Sequence, residues 1–226
     1  MQLSIILPAL NEAEAIANTL ARLQSVRAHG VEVILVDGGS SDRTRDIAAP
    51  LVDRVIDSEP GRAKQMNAGA AVASGDVLLF LHADSILPDD GDIQIAQALI
   101  DPRFQWGRFD VSIHGMHVMF PVIAWFMNHR SRSTGIATGD QGIFVTRNAF
   151  MKIGGFPDQP LMEDVEICKR LKKISPPACI AKKIITSGRR WEKHGVWRTI
   201  WLMWRLRFSY YCGATAESIH RAYYGK

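Results

Sequence analysis

Hydrophobic positions in the first part of the chain come in short runs separated by helical patterns. A run at 3–7 leads to a predicted helix over about 12–28, a run at 31–36 to one over about 43–49, and a run at 52–57 to one over about 62–73. A run at 77–81 closes the series. Short apolar runs bounded by turn signals read as buried strands, and their alternation with helices predicts a parallel sheet covered on both faces. Side chains in a strand repeat every two residues. His82 and Asp84, directly after Val77-Leu78-Leu79-Phe80-Leu81, are therefore expected to project together from the strand's carboxyl end. Open α/β sheets bind their ligands at that end.

After Pro88 the pattern becomes mixed. A strand is expected near 109–114, another over 142–146, and a helix from near Glu163. The apolar stretch 116–127 is open between core, dimer face and acceptor groove. This second half is expected to extend the same sheet with mixed topology. One domain is predicted, with a nucleotide-binding half over 1–88, an acceptor-side half over 89–175 and a basic aromatic segment over 176–226.

Composition adds bounds. With 226 residues, 47% hydrophobic and 22% charged, the chain can fill one large core. No apolar run nears the roughly 18–20 residues that cross a bilayer, and the first ten residues lack the basic start of a secretory signal. A cytoplasmic protein is expected, with peripheral contact at the cytoplasmic membrane face as the variant. Cys168, Cys179 and Cys212 show no CxxC pairing and are expected to be reduced core residues. The net charge of +4 divides into −8 over residues 1–168 and +12 over 169–226. The last quarter is thus expected to face something anionic, whether phosphate, acidic lipid or nucleic acid.

Several polar clusters sit at the expected strand ends. Asn11 with Glu14 three residues later is a helix-capping pattern that needs no ligand. Asp37 beside Gly38 and Gly39 combines an acceptor for a base or ribose with backbone able to turn sharply under a ligand. Neither a GxGxxG fingerprint nor a P-loop is present, so neither a dinucleotide nor a Walker-type ATP site is supported. Arg62 and Lys64 fall in the first turn of a predicted helix, where cations oppose the dipole; a diphosphate would compensate them, and so would solvent. Asp84 suits a hard divalent cation, while His82 suits Mn2+ better than Mg2+, a nucleotide contact, or a place in the core. Glu163 and Asp164 open a helix, where the dipole alone favours acids.

In this order the segments resemble an inverting family 2 glycosyltransferase of the GT-A fold, over a stretch from Leu3 to about Lys173. The resemblance implies an α/β fold with a Rossmann-like, mostly parallel sheet flanked by helices, here followed by a helical basic C-terminal segment. It implies that Pro8, Ala9, Asn11, Glu12 and Asp37 line a nucleoside pocket, with Arg62, Lys64 and Asn67 near the ribose or phosphates. His82-Ala83-Asp84 falls on the DxD motif with histidine in place of the first acid. Asp84 and His82 are then the metal ligands, His82 and Ala83 touch the nucleotide, and the cofactor is a divalent cation, Mn2+ or Mg2+. Glu163-Asp164 matches the ED motif, which makes Asp164 the general base, and Asp140 would orient the acceptor hydroxyl. The implied reaction moves a sugar from a UDP- or GDP-sugar to an acceptor hydroxyl with inversion.

Beyond residue 173 the likeness thins. Arg189-Arg190-Trp191 and His194 echo the RW element of processive members without its QxxRW form. Trp197, Trp201, Trp204, Phe208 and Tyr211 recur at spacings of three and four on one helix face, accompanied by Arg198, Arg205 and Arg207. Such a face either docks on the domain's own core or lies among lipid headgroups with its arginines on acidic lipid, which would suit a lipid-linked acceptor. No nucleic acid is expected as a partner. Two rival functions remain at this level. A nucleotidyltransferase would need a glycine-rich basic loop where Pro8-Ala9-Leu10-Asn11-Glu12 stands, and the acids of the site argue against a nucleotide- or nucleic-acid-binding module.

Overall fold

A computed structural model describes residues 1–225. Strand β1 (Leu3–Ala9), helix α1 (Ile16–Ala28), β2 (Glu32–Asp37), α2 (Thr44–Ala48), β3 (Arg54–Asp57), α3 (Arg62–Val72) and β4 (Val77–Phe80) carry the predicted alternation. These strands lie in the order β3-β2-β1-β4 and all pair in parallel. Ile5, Leu7, Val33, Leu35 and Leu79 face Leu20 and Leu23 of α1, while Ile6, Ile34, Val36 and Leu78 face Ala63, Met66 and Ala70 of α3. Both faces are covered, which is why the runs are apolar without alternation. Gly69 lets α3 lie close to the sheet: a Cβ there would stand 2.5 Å from Ile6 and 2.9 Å from Val36.

The second half contributes β5 (Ser85–Ile86), α4 (Gly91–Ala98), β6 (Trp106–His114), α5 (Phe120–Thr134), β7 (Ile143–Thr146), α6 (Arg147–Lys152) and α7 (Glu163–Leu171). Then follow β8 (Ala178–Ser187), α8 (Arg189–His194), α9 (Val196–Tyr211) and α10 (Ala216–Tyr224). The sheet continues β4-β7-β6-β8-β5, with β7 antiparallel to both neighbours, β8 parallel to β6, and β5 antiparallel to β8. Six strands thus share one direction, in agreement with the mostly parallel sheet expected.

Local expectations fail where a long-range contact intervenes. Helix α1 begins at Ile16 with no side-chain cap, because Asn11 takes a left-handed conformation (φ 55°) and accepts a hydrogen bond from Ser41 across the loop. Residues 116–127 supply the first half of α5, whose Phe120 and Ile123 pack on Val196 while Val122, Trp125 and Phe126 are exposed. The segment from 176 is not a separate tail, since its first ten-residue element, β8, is a sheet strand. Of the cysteines only Cys168 is core, where burial pushes its thiol up to about 12; Cys212 is exposed.

Helix α9 reverses the simpler expectation for its aromatic stripe. The helix docks through Val196, Thr199 and Leu206, and the five aromatics turn outward, between 63% and 87% exposed. Arg205 stacks on Trp201 at 4.8 Å. Among the described residues no helix is long and apolar enough to cross a membrane.

Candidate active site

The carboxyl ends of β1 and β2 are joined by their loops. Asp37, fully buried, accepts hydrogen bonds from the Gly39 and Ser40 amides at 3.1 and 3.0 Å and from the Ser40 hydroxyl at 2.5 Å. The Asn11 amide donates to Ser40 Oγ, its Oδ1 accepts from the Ser41 amide, and the Glu12 amide donates to Thr44 Oγ1. Beneath them, buried Gln65 of α3 donates to the carbonyls of Ala9 and Val36, both at 2.8 Å. Half-buried Pro8 and buried Ala9 form the floor. Gln65 escaped the sequence reading because a glutamine inside a helix carries no signal of its buried partners.

The three polar residues expected from α3 separate. Lys64 is occupied by Glu59 at 2.6 Å. Asn67 clamps the loop ahead of α7, donating to the Phe156 carbonyl and accepting from its amide, both at 2.9 Å. Only Arg62 faces the acids. It is solvent-exposed yet surrounded by the cleft walls; desolvation opposes its charge, and Glu163, Tyr224 and Asp140 outweigh that and raise its pKa.

His82 and Asp84 do not act as a strand pair. The strand ends at Phe80, and the Ser85 amide bonds back to the His82 carbonyl at 3.1 Å, so the chain turns between them. His82 Nδ1 lies 3.4 Å from Asp140, and its Nε2 rests over Gly139, where any Cβ would collide with it. Thr186 at the end of β8 donates to the same Asp140 oxygen at 3.2 Å. Burial works against the Asp140 charge, but His82, Arg62 and Thr186 prevail and hold its pKa down to about 2. Buried Ala83 lies between the two diverging side chains. Asp84 instead faces Arg189 at 3.9 Å.

Opposite stands the start of α7. Asp164 accepts from the Gly139 amide at 3.2 Å and from the Val165 amide at 2.7 Å. Glu163 is buried, and burial together with the Asp164 charge raises its pKa. Met162 precedes them with φ 65°, and its side chain is gripped by Leu206 of α9 and Ile219 of α10. Among the described residues, Asn11 and Met162 are the two non-glycine positions with positive φ. Strain of that kind, held by surrounding packing, is typical of functional sites. Arg189 closes the far side, 3.4 Å from Glu12 and 3.3 Å from Glu14. Burial and the nearby Asp84 raise the pKa of Glu12.

A sequence model described as "Glycosyl transferase family 2" matches residues 4–153, which carry the loops, His82-Ala83-Asp84, Asp140 and the strand after it. The chain belongs to glycosyl transferase family 2. This family 2 chain is 43% identical over 91 residues to a Mycobacterium tuberculosis protein named PGL/p-HBAD biosynthesis glycosyltransferase, covering 37% of this chain and 36% of that one. The chain thus aligns with about a third of that relative's length. Among solved structures it is similar to a mannosyltransferase from Pyrobaculum calidifontis in complex with GDP-Man and Mn2+, with 20% identity and a TM-score of 0.62 over 81% of this chain and 56% of that one. It is also similar to S. aureus TarS in complex with UDP, with 17% identity and a TM-score of 0.67 over 83% and 60%. The fold is therefore that of the GT-A glycosyltransferases. Membership of this family runs against the nucleotidyltransferase and the binding-module alternatives.

Family 2 enzymes of this fold raise the question of a divalent cation. Among the described residues no three His, Cys, Asp or Glu side chains gather into a cage. His82, expected as a ligand, has its Nδ1 3.4 Å from Asp140. Asp84 remains, with Glu12 nearby, and a hard cation that takes most of its oxygens from a diphosphate and water needs one or two carboxylates. The residues fit such an ion.

Proposed function

We propose that this family 2 chain transfers a sugar from a nucleoside-diphosphate sugar to an acceptor hydroxyl with inversion, Asp164 acting as general base. The observation that carries the reading is the setting of Asp164. Backbone amides of Gly139 and Val165 hold its carboxylate at the mouth of a helix, across the cleft from the β1 and β2 loops. Buried Glu163 is the acid driven toward its neutral form, whereas half-buried Asp164 can meet a hydroxyl. An acceptor oxygen deprotonated there would attack the anomeric carbon opposite the departing diphosphate, and a single displacement of that kind would invert the centre. Arg62, protonated and without an ion-pair partner among the described residues, offers stabilisation to the leaving group. Asp140, fixed by His82 and Thr186, would position the acceptor hydroxyl. Mn2+ or Mg2+, held by Asp84, would supply Lewis-acid neutralisation of the diphosphate when bound. The nucleoside would lie against Pro8, Ala9, Asn11, Glu12 and Asp37, with a UDP- or GDP-sugar as donor. What supports a lipid-linked acceptor is the outward aromatic face of α9 with its arginines, which suits the headgroup layer of an acidic cytoplasmic membrane face.

The test is calorimetric titration of UDP, GDP and their sugars with Mn2+ or Mg2+, followed by turnover of Asp164→Asn. Binding of one nucleoside diphosphate in wild type and in the variant is expected, with turnover reduced about 10²- to 10⁴-fold. Near-normal turnover in Asp164→Asn would remove Asp164 from the chemistry.

A further inference from the structure

Helix α7 starts without a side-chain cap. Met162, at its N-cap position, makes no cap hydrogen bond and holds φ 65° and ψ 19°. Glycine takes that left-handed conformation freely, whereas a methionine is strained in it and persists there only when its surroundings hold it. The surroundings are the C-terminal hairpin: the buried Met162 side chain packs with Leu206 of α9 and Ile219 of α10. Val165 joins that cluster, and Lys169 lies over the Tyr210 ring at 4.9 Å. Positions 162, 165 and 169 follow helical spacing, so one stripe of α7 meets the hairpin. Its other stripe, Ile167, Cys168 and Leu171, enters the core layer shared with α3. Asp164 stands one turn ahead of Ile167 and Cys168 on that second stripe, where the Gly139 and Val165 amides hold its carboxylate. At the far end of α10, Tyr223 lies one turn beyond Ile219 with the Arg190 guanidinium over its ring at 4.1 Å. Arg189, next in the chain to Arg190, faces Glu12 and Asp84. The hairpin is thus pinned to both sides of the cleft.

We propose that Met162 is the positioning residue of the Asp164 carboxylate, with the α9–α10 hairpin as its anchor. The inference rests on the transferase reading above, in which Asp164 is the general base. A left-handed residue turns the chain sharply, so the conformation at 162 sets the direction from which 163 and 164 enter the helix. The Met162 side chain, held by Leu206 and Ile219, fixes that turn. Glycine at this place would give the same backbone without strain but nothing for the hairpin to hold. The anchor lies wholly beyond residues 4–153, which carry the family likeness, and gives the C-terminal segment a part in the chemistry of the cleft.

Amide hydrogen exchange followed by NMR on the full chain tests this in wild type, Met162→Leu, Met162→Gly and Ile219→Ala. The Gly139 amide, which reaches Asp164 from another loop, reports where the carboxylate stands; the Phe156 amide, bonded to Asn67 at 2.9 Å, reports general loosening. Gly139 and Val165 should exchange about tenfold faster or more in M162G and I219A, with Phe156 unchanged and M162L close to wild type. Release of nucleoside diphosphate from UDP-glucose or GDP-mannose should fall about tenfold to a hundredfold in M162G and I219A and recover in M162L, while calorimetric affinity for UDP and GDP holds within about twofold. Unchanged Gly139 exchange in both M162G and I219A, equal acceleration at Phe156, or a parallel loss of nucleotide affinity and turnover overturns the anchor. Asp164→Asn in the same assay separates the two readings. Normal turnover in D164N refutes the base, while exchange at Gly139 still decides whether Met162 places the carboxylate; an inactive D164N beside a fully active M162G refutes the positioning role alone.

Discussion

Replacing Arg189 with glutamine should strengthen cation binding at Asp84. The guanidinium stands 3.3 Å from Glu14, 3.4 Å from Glu12 and 3.9 Å from Asp84, where a divalent ion would have to displace it. At 3.9 Å a unit ion pair is worth about 1 kcal/mol in water and about 4 kcal/mol at an effective dielectric of 20. Side-chain exposures of 47% for Arg189 and 29% for Asp84 place the pair at the lower end. About 1 kcal/mol corresponds to about a fivefold gain in Mn2+ affinity for Arg189→Gln. Free Mn2+ measured by electron paramagnetic resonance, without nucleotide, reads this directly, and Asp84→Asn should abolish both the binding and the gain. Equal or weaker Mn2+ binding in Arg189→Gln, with unfolding unchanged, would refute the competition; a gain that survives in the Asp84→Asn background would place the ion elsewhere.

Two further outcomes follow from the charges and surfaces described. Asp140 keeps its charge down to about pH 2, so its folded-state pKa lies below the ordinary carboxylate value of about 3.9. Its contribution to stability is present above that ordinary value and is lost as pH falls toward 2, so the melting-temperature gap between wild type and Asp140→Asn should narrow between about pH 4 and pH 2; a gap independent of pH contradicts this. Vesicles rich in phosphatidylglycerol should sediment the wild-type chain at low salt, and Trp201→Ala with Trp204→Ala should weaken that binding about tenfold or more. Failure to sediment at low salt would end the membrane reading of the aromatic face.

The runs around β1 to β4 were legible because a strand covered on both faces must be apolar at every position, and nothing distant can change that requirement. The gathering of Asp84, Asp140 and the Glu163-Asp164 pair was legible because strand ends and helix starts concentrate polar groups at one edge of the sheet. Strand β8 was missed: exposed Ala181, Lys182 and Lys183 interrupt its alternation, opposite an irregularity in β6 between Phe109 and Asp110. The outward turn of the α9 aromatics was undecidable from spacing, since a stripe looks the same whether it meets a core or solvent. Above all, partners lay beyond local reach. His82 pairs with Asp140, Asn67 holds Phe156 from 89 residues away, and Arg189 meets Glu12 across 177. Periodicity and capping act within a few residues and so are written locally, whereas the choice of partner for a charge depends on which chain segments the sheet brings together. The sequence by itself therefore determined the strands and helices of the first half and the chemical vocabulary of the cleft. Only the tertiary structure decided which of those groups face one another.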